Sequence, residues 1–239
     1  MIPEGYKKLD SWRSSNQLIY QHLIIMLLFG LTLFWFFLWV ANLFQEKPVT
    51  DVDLLLGNNF PLLILIPFLV LNQIIVLIPH EAIHGIAAYF FGGRPRFGFI
   101  LIGKILPGAY TTFDELLTRD KFIIVSLAPL FVLTILGVGL MFLIPPIGPF
   151  LAYPLALNAG GSIVDCWLVK QALRYPTHVL IKDEMHELVV FGKETDESKK
   201  TTSQLFFSKY LNLILIIITT LFILNFFFLS MILKFFHLE

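Results

Sequence analysis

Cysteine is almost absent from this chain of 239 residues: Cys166 stands alone. A disulfide framework within the chain is therefore excluded, and so is a metal site built from cysteines. Charge is scarce as well. Charged residues make up 14%, where soluble proteins average about 25%. Neither sign is in excess, with 17 Lys+Arg against 17 Asp+Glu, so the chain has no basic footprint for a nucleic acid. It also lacks the low hydrophobicity of an intrinsically disordered protein.

Apolar residues fill the space. They make up 57% of the chain, 25 of them phenylalanine, and the mean hydropathy is +0.80. Apolar runs fall at about 18–44, 60–91, 122–144, 150–169 and 210–236, each near the length of roughly 20 residues that crosses a bilayer core. The expected fold class is an all-α polytopic membrane protein with about five transmembrane helices. The first run is too long for the apolar part of a signal peptide, and no small-residue cleavage site follows it.

Lysine and arginine set the expected orientation. They gather at Lys7, Lys8 and Arg13, again between Arg94 and Lys121, and again between Lys170 and Lys209. The 45–59 loop has only Lys47, and Pro145 to Pro149 has none. The expected arrangement is a multi-pass protein of the cell membrane, N-terminus cytosolic and C-terminus outside. Residues 1–16 would be a cytosolic N-terminus, 17–170 the membrane core, 171–209 a cytosolic segment and 210–236 the C-terminal span. Two regions between spans read as strands. Phe97 to Leu106, closed by the Pro107-Gly108 turn signal, suggests a short β-like hairpin at the cytosolic interface. His178 to Ile181 and Leu188 to Phe191 flank a polar turn in the later segment.

The second run holds His80-Glu81-Ala82-Ile83-His84, an H-E-x-x-H pattern. Chance would put it in a chain of this composition roughly 0.006 times. On a helix, residues four apart share a face, so His80 and His84 can grip one metal ion. Glu81 lies beside that face, placed to take a proton from a water that the metal activates. A glutamate inside a membrane helix costs about 2.5–3.5 kcal/mol on insertion scales and needs a partner, and a divalent cation is a strong one.

A catalytic zinc keeps three protein ligands and one open position. Asp165 is the leading candidate for the third, as the only other carboxylate inside an apolar run. Depth agrees. His84 lies about 10 Å from the expected end of its helix and Asp165 about 8 Å from Lys170, at 1.5 Å per residue. Asp114, Glu115 and His178 remain as alternatives. Asn158 shares a helical face with Asp165 and is a candidate for substrate or oxyanion support. Gly160 and Gly161 would let their helix approach another closely. Pro79 would loosen the helix just before His80, and Asn72 and Gln73 are polar neighbours deeper in that run. His22 and His237 read as interfacial, His186 as a solvated turn residue and Cys166 as a packing residue.

An H-E-x-x-H in one span with an aspartate in a later one resembles the pattern of the site-2 proteases, intramembrane zinc metalloproteases. A closer resemblance is to the bacterial zincin-peptidase membrane family, formerly a domain of unknown function. It is carried by His80-Glu81-Ala82-Ile83-His84-Gly85, Pro107-Gly108-Ala109-Tyr110, Leu127-Ala128-Pro129-Leu130, Asn158-Ala159-Gly160-Gly161-Ser162 leading to Asp165, and Val179-Leu180-Ile181-Lys182-Asp183. The resemblance implies a zinc-dependent membrane peptidase with one catalytic Zn2+, Glu81 as base and Asp165 as third ligand. The expected partners are the lipid bilayer and a peptide or membrane-protein substrate, with no nucleic acid. The competing expectation is a metal-binding membrane transporter or sensor without proteolysis.

Overall fold

The computed structural model describes residues 2–13, 16–46, 62–102, 106–184 and 187–196. The span expected at 210–236 lies outside them, as do His186, His237 and the side chain of His22.

Five α-helices and six strands follow one another along the described chain. They are β1 (Lys7–Arg13), α1 (Asn16–Asn42), α2 (Leu62–Phe90), β2 (Pro95–Ile102), β3 (Leu106–Phe113), β4 (Leu117–Thr118), α3 (Arg119–Leu143), α4 (Gly148–Gly161), α5 (Ile163–Ala172), β5 (Leu180–Glu184) and β6 (Glu187–Gly192). Single 3-10 turns lie at Pro145–Ile147 and Glu194–Asp196.

Among the described residues four stretches are long and apolar enough to cross a bilayer: Leu23–Asn42, Leu71–Phe90, Arg119–Leu143 and Pro145–Ala172. Their outer faces carry Ile78, Ile86, Phe90, Ile135, Leu136 and Leu143, each more than half exposed. Soluble monomers rarely expose large apolar surface over several helices, and helices apolar on all sides belong in a protein core or in lipid. These surfaces are compatible with a membrane protein.

The fourth run is one apolar stretch in sequence but two helices in the structure. α4 ends at Gly161 and α5 begins at Ile163. Between them stands Ser162, its N–H and its hydroxyl both donating to the Asn158 carbonyl at 3.0 and 2.9 Å. Two glycines just before the break lower the local helix preference. Gly160 lies against α1, with the Gly30 Cα 3.7 Å from where its own Cβ would stand.

The strands make the architecture mixed rather than all-α. The expected hairpin is present as β2 and β3, antiparallel, with Phe97 opposite Thr111 and Ile102 opposite Leu106. The two later runs are β5 and β6, starting at Leu180 and Glu187. The N-terminal segment, read from sequence as a tail, supplies β1. It joins an antiparallel sheet of order β1-β6-β5-β4, with a register shift between Lys8 and Asp10. Its sequence KKLDSWR shows no clear apolar alternation, so nothing local marks it as a strand; its partner β6 lies far along the chain.

Two apolar cores hold these parts together. One joins α1, α3 and α4 through Phe37, Leu38, Met141, Ala152 and Leu155. The other ties α2, α3 and α5 to the sheet through Ala88, Phe122, Val125, Ala172, Ile181 and Val190. Each large side chain fully buried there contributes roughly 1.5–3 kcal/mol relative to exposure. Polar contacts pin the sheet to the helices: the Tyr175 hydroxyl donates to Asp10 Oδ2 at 2.8 Å, and Arg119 Nη1 donates to the Tyr175 carbonyl at 2.7 Å.

Candidate metal centre

α2 runs unbroken through Pro67 and Pro79 and carries His80, Glu81 and His84 on successive turns. The two imidazoles stand edge to face, with ring centroids 4.9 Å apart. Each is fixed by a carbonyl oxygen from a different helix.

His84 Nδ1 lies 2.8 Å from the Val125 carbonyl of α3. A carbonyl only accepts, so Nδ1 carries a proton, and in the neutral ring Nε2 keeps its lone pair. The carbonyl is free for a reason written in the sequence. In an α-helix it would receive the N–H of residue 129, and residue 129 is proline, which has none.

His80 is fixed in the same way. Its Nδ1 lies 2.9 Å from Asn158 Oδ1 of α4, and Asn158 Nδ2 donates to the Pro129 carbonyl at 3.3 Å. That second bond settles which end of the amide faces His80, since a carbonyl needs a donor. His80 Nδ1 therefore donates, and in the neutral ring its Nε2 also presents a lone pair. Asn158, expected as substrate or oxyanion support, is turned to a different task. It is 2% exposed, with both ends of its amide engaged by the protein.

Both Nε2 atoms face Asp165 in the first turn of α5. His80 Nε2 is 3.3 Å from Asp165 Oδ2, and His84 Nε2 is 3.6 Å from Oδ1. Charge-assisted N–H···O bonds are about 2.7–2.9 Å, so these separations are too long for good ones. They fit another arrangement. Two ligands at roughly 2.0–2.1 Å from one tetrahedral zinc stand about 3.3–3.4 Å apart. Asp165 Oδ2 is buried without a hydrogen-bond partner among the described residues. Two imidazole lone pairs and a carboxylate facing one another repel unless a cation lies between them. His80, His84 and Asp165, whose ligating atoms all lie within 4.8 Å of one another, therefore form a donor set that fits a zinc ion.

Glu81 lies beside this set, held from β3. Thr111 Oγ1 is 2.8 Å from Glu81 Oε2 and 2.9 Å from the Glu81 carbonyl. The hairpin reaches the helix because residue 85 is glycine: a Cβ there would fall 2.4 Å from the Phe97 ring of β2.

The other sequence candidates lie elsewhere in the fold. Asp114 pairs with Arg96, and Glu115 accepts the Arg94 N–H at 2.8 Å. His178 meets Asp196 at 2.9 Å. Cys166 is next to Asp165 and exposed. Asn72 and Gln73 lie about two turns before His80 on α2 and are no part of the cluster. Sequence reasoning missed Thr111, the Val125 carbonyl and the role of Asn158. Pro129 was the available signal for the second of these, four residues after Val125. Thr111 gives none, because only the packing of the hairpin brings it to α2.

No curated protein and no solved structure matches the chain. A family model does, over residues 73–180, and its description is "Putative zincin peptidase". The matched stretch contains His80, Glu81, Thr111, Val125, Asn158 and Asp165, and its description agrees with the family that the motifs resemble.

Proposed function

We propose that this protein is an integral membrane zinc metalloprotease that hydrolyses peptide bonds of membrane-anchored or membrane-adjacent substrates near the cytosolic face. The observation that carries the proposal is the convergence of two Nε2 lone pairs and an unpartnered buried carboxylate, with a second carboxylate beside them. The family match supports it. So do the four apolar stretches and the lysine and arginine bias of the sequence.

His80, His84 and Asp165 would hold the zinc. When bound, zinc lowers the pKa of a water towards neutrality and polarises a carbonyl. Glu81 is the base: its carboxylate accepts the proton of the attacking water and delivers it to the amide nitrogen as the peptide bond breaks. Thr111 holds that carboxylate in place. Asn158 and the Val125 carbonyl keep each imidazole in the tautomer that presents Nε2, as outer partners of metal-bound histidines do. Among the described residues one such cluster is found, where a transport path would string several along the membrane.

The test is metal analysis beside cleavage, with purified full-length protein in liposomes and membrane-anchored peptides. Glu81→Gln should keep zinc and lose cleavage by at least a hundredfold, a typical scale for a general base. His84→Ala should lose both. Full cleavage by Glu81→Gln, or a purified protein that binds no zinc, would refute the proposal. Zinc flux without cleavage would make the protein a transporter.

A further inference from the structure

Asp183 has no part in the chemistry above. It sits near the end of β5, and its side chain lies on the sheet face turned to the helices. Two relations fix that. Its cross-strand partner is Leu188, and its neighbour two residues back, Ile181, pairs with Val190. Ile181, Leu188 and Val190 all belong to the apolar core shared with α2 and α3, and residues two apart or directly opposite in an antiparallel pair share a face. Lys182 and Glu184 face the other way and bond each other at 2.7 Å.

That core contains Val125, whose carbonyl holds His84. It also contains Phe113, two residues beyond Thr111 on β3, and β3 packs against β5. Asp183 thus faces the metal cluster from the sheet. No hydrogen bond or ion pair satisfies it among the described residues. Burial pushes its carboxyl up to about 7, with the charges of Asp165 and Glu81 adding. A partly buried carboxyl without a partner is stabilised by a cation that takes the proton's place.

We infer that Asp183 is a specificity-determining residue that receives an ammonium or guanidinium group of the peptide beside the scissile bond. The inference rests on the protease reading. The cation has two sources, a lysine or arginine side chain or the free amino terminus of the peptide, and both present the same charge to the carboxylate.

The experiment uses zinc-loaded full-length protein in liposomes and a set of membrane-anchored peptides. One bears lysine near the cleaved bond, one bears glutamine there, and each is made with a free or an acetylated amino terminus. Wild type should prefer one cationic form. A preference that follows the lysine assigns the side chain, and one that follows the free amine assigns the amino terminus. Asp183→Asn should reduce the preference about tenfold through KM, and Asp183→Glu should restore it. Lys182→Gln, on the opposite face, should leave the preference as it is. If wild type cuts every peptide alike, or if Asp183→Asn lowers kcat equally for all of them, this inference is overturned and the protease reading survives. If wild type, like Glu81→Gln, cuts nothing, both are overturned.

Discussion

The Val125 carbonyl accepts the Nδ1 proton of His84 at 2.8 Å because Pro129, one turn further along α3, has no N–H to offer it. A helix defect thereby fixes the tautomer of an imidazole on a neighbouring helix. Pro129→Ala supplies an N–H that competes for this carbonyl. Zinc affinity should fall about tenfold, towards the lower end of what loss of an outer partner costs. The zinc-free protein should melt higher, since proline inside a helix costs about 3 kcal/mol. Opposite signs for affinity and stability mark the effect, and competition titration with thermal melting reads both. Unchanged zinc affinity would refute the role given to Pro129.

Asn158 tests the second imidazole. Asn158→Leu removes the acceptor at His80 Nδ1 and should weaken zinc binding by about 10- to 100-fold. Asn158→Asp keeps an acceptor there and should recover most of the loss. A leucine variant that binds zinc as wild type does would remove Asn158 from the support of the site.

Thr111 separates orientation from metal binding. Thr111→Val deletes the hydroxyl 2.8 Å from Glu81 Oε2 while keeping a branched side chain of similar size. Zinc content should be unchanged and kcat should drop about tenfold, the worth of roughly 1.4 kcal/mol of lost orientation. A fall in KM or zinc content in place of kcat would show that Thr111 acts elsewhere.

Asp183 gives a pH signature in zinc-free protein. Its carboxyl is raised to about 7 when folded, from 3.8, so the folded state holds more protons than the unfolded one between these values. Its contribution to stability is full below about pH 4 and is lost as pH rises towards about 7. Asp183→Asn removes that loss. The variant's melting temperature should exceed wild type by roughly 3–6 °C at pH 8 and by clearly less at pH 5. An equal difference at the two pH values would contradict the raised value.

The chemistry was more legible in this sequence than the sheet. His80, Glu81 and His84 could be placed together because helical spacing alone sets their relation. Asp165 could be matched to them by depth, since both runs were expected to cross the same slab. The hairpin showed in Phe97 to Leu106 because the β preference there is local. The division of the fourth run into α4 and α5 was hidden inside continuous apolarity. Thr111, Asn158 and Asp183 meet their neighbours only through tertiary packing, and β1 is held by register with residues that no nearby pattern announces. Pro129 is the intermediate case. Its consequence for Val125 follows from backbone geometry, but that a histidine would claim the freed oxygen does not.

The strand order carries a consequence for how the molecule is made. β1 is synthesised before the other five strands, yet the strand beside it, β6, is the last of the six. Its edge stays unpaired while all the helices that carry the histidines and Asp165 are being made. Long-range pairing of this kind forms late, because loop closure must be met before the contacts reward it. The sheet is therefore a clasp fastened after the helices, and an N-terminal fusion or truncation that disables β1 would leave the helical site assembled beneath a sheet lacking its outer strand.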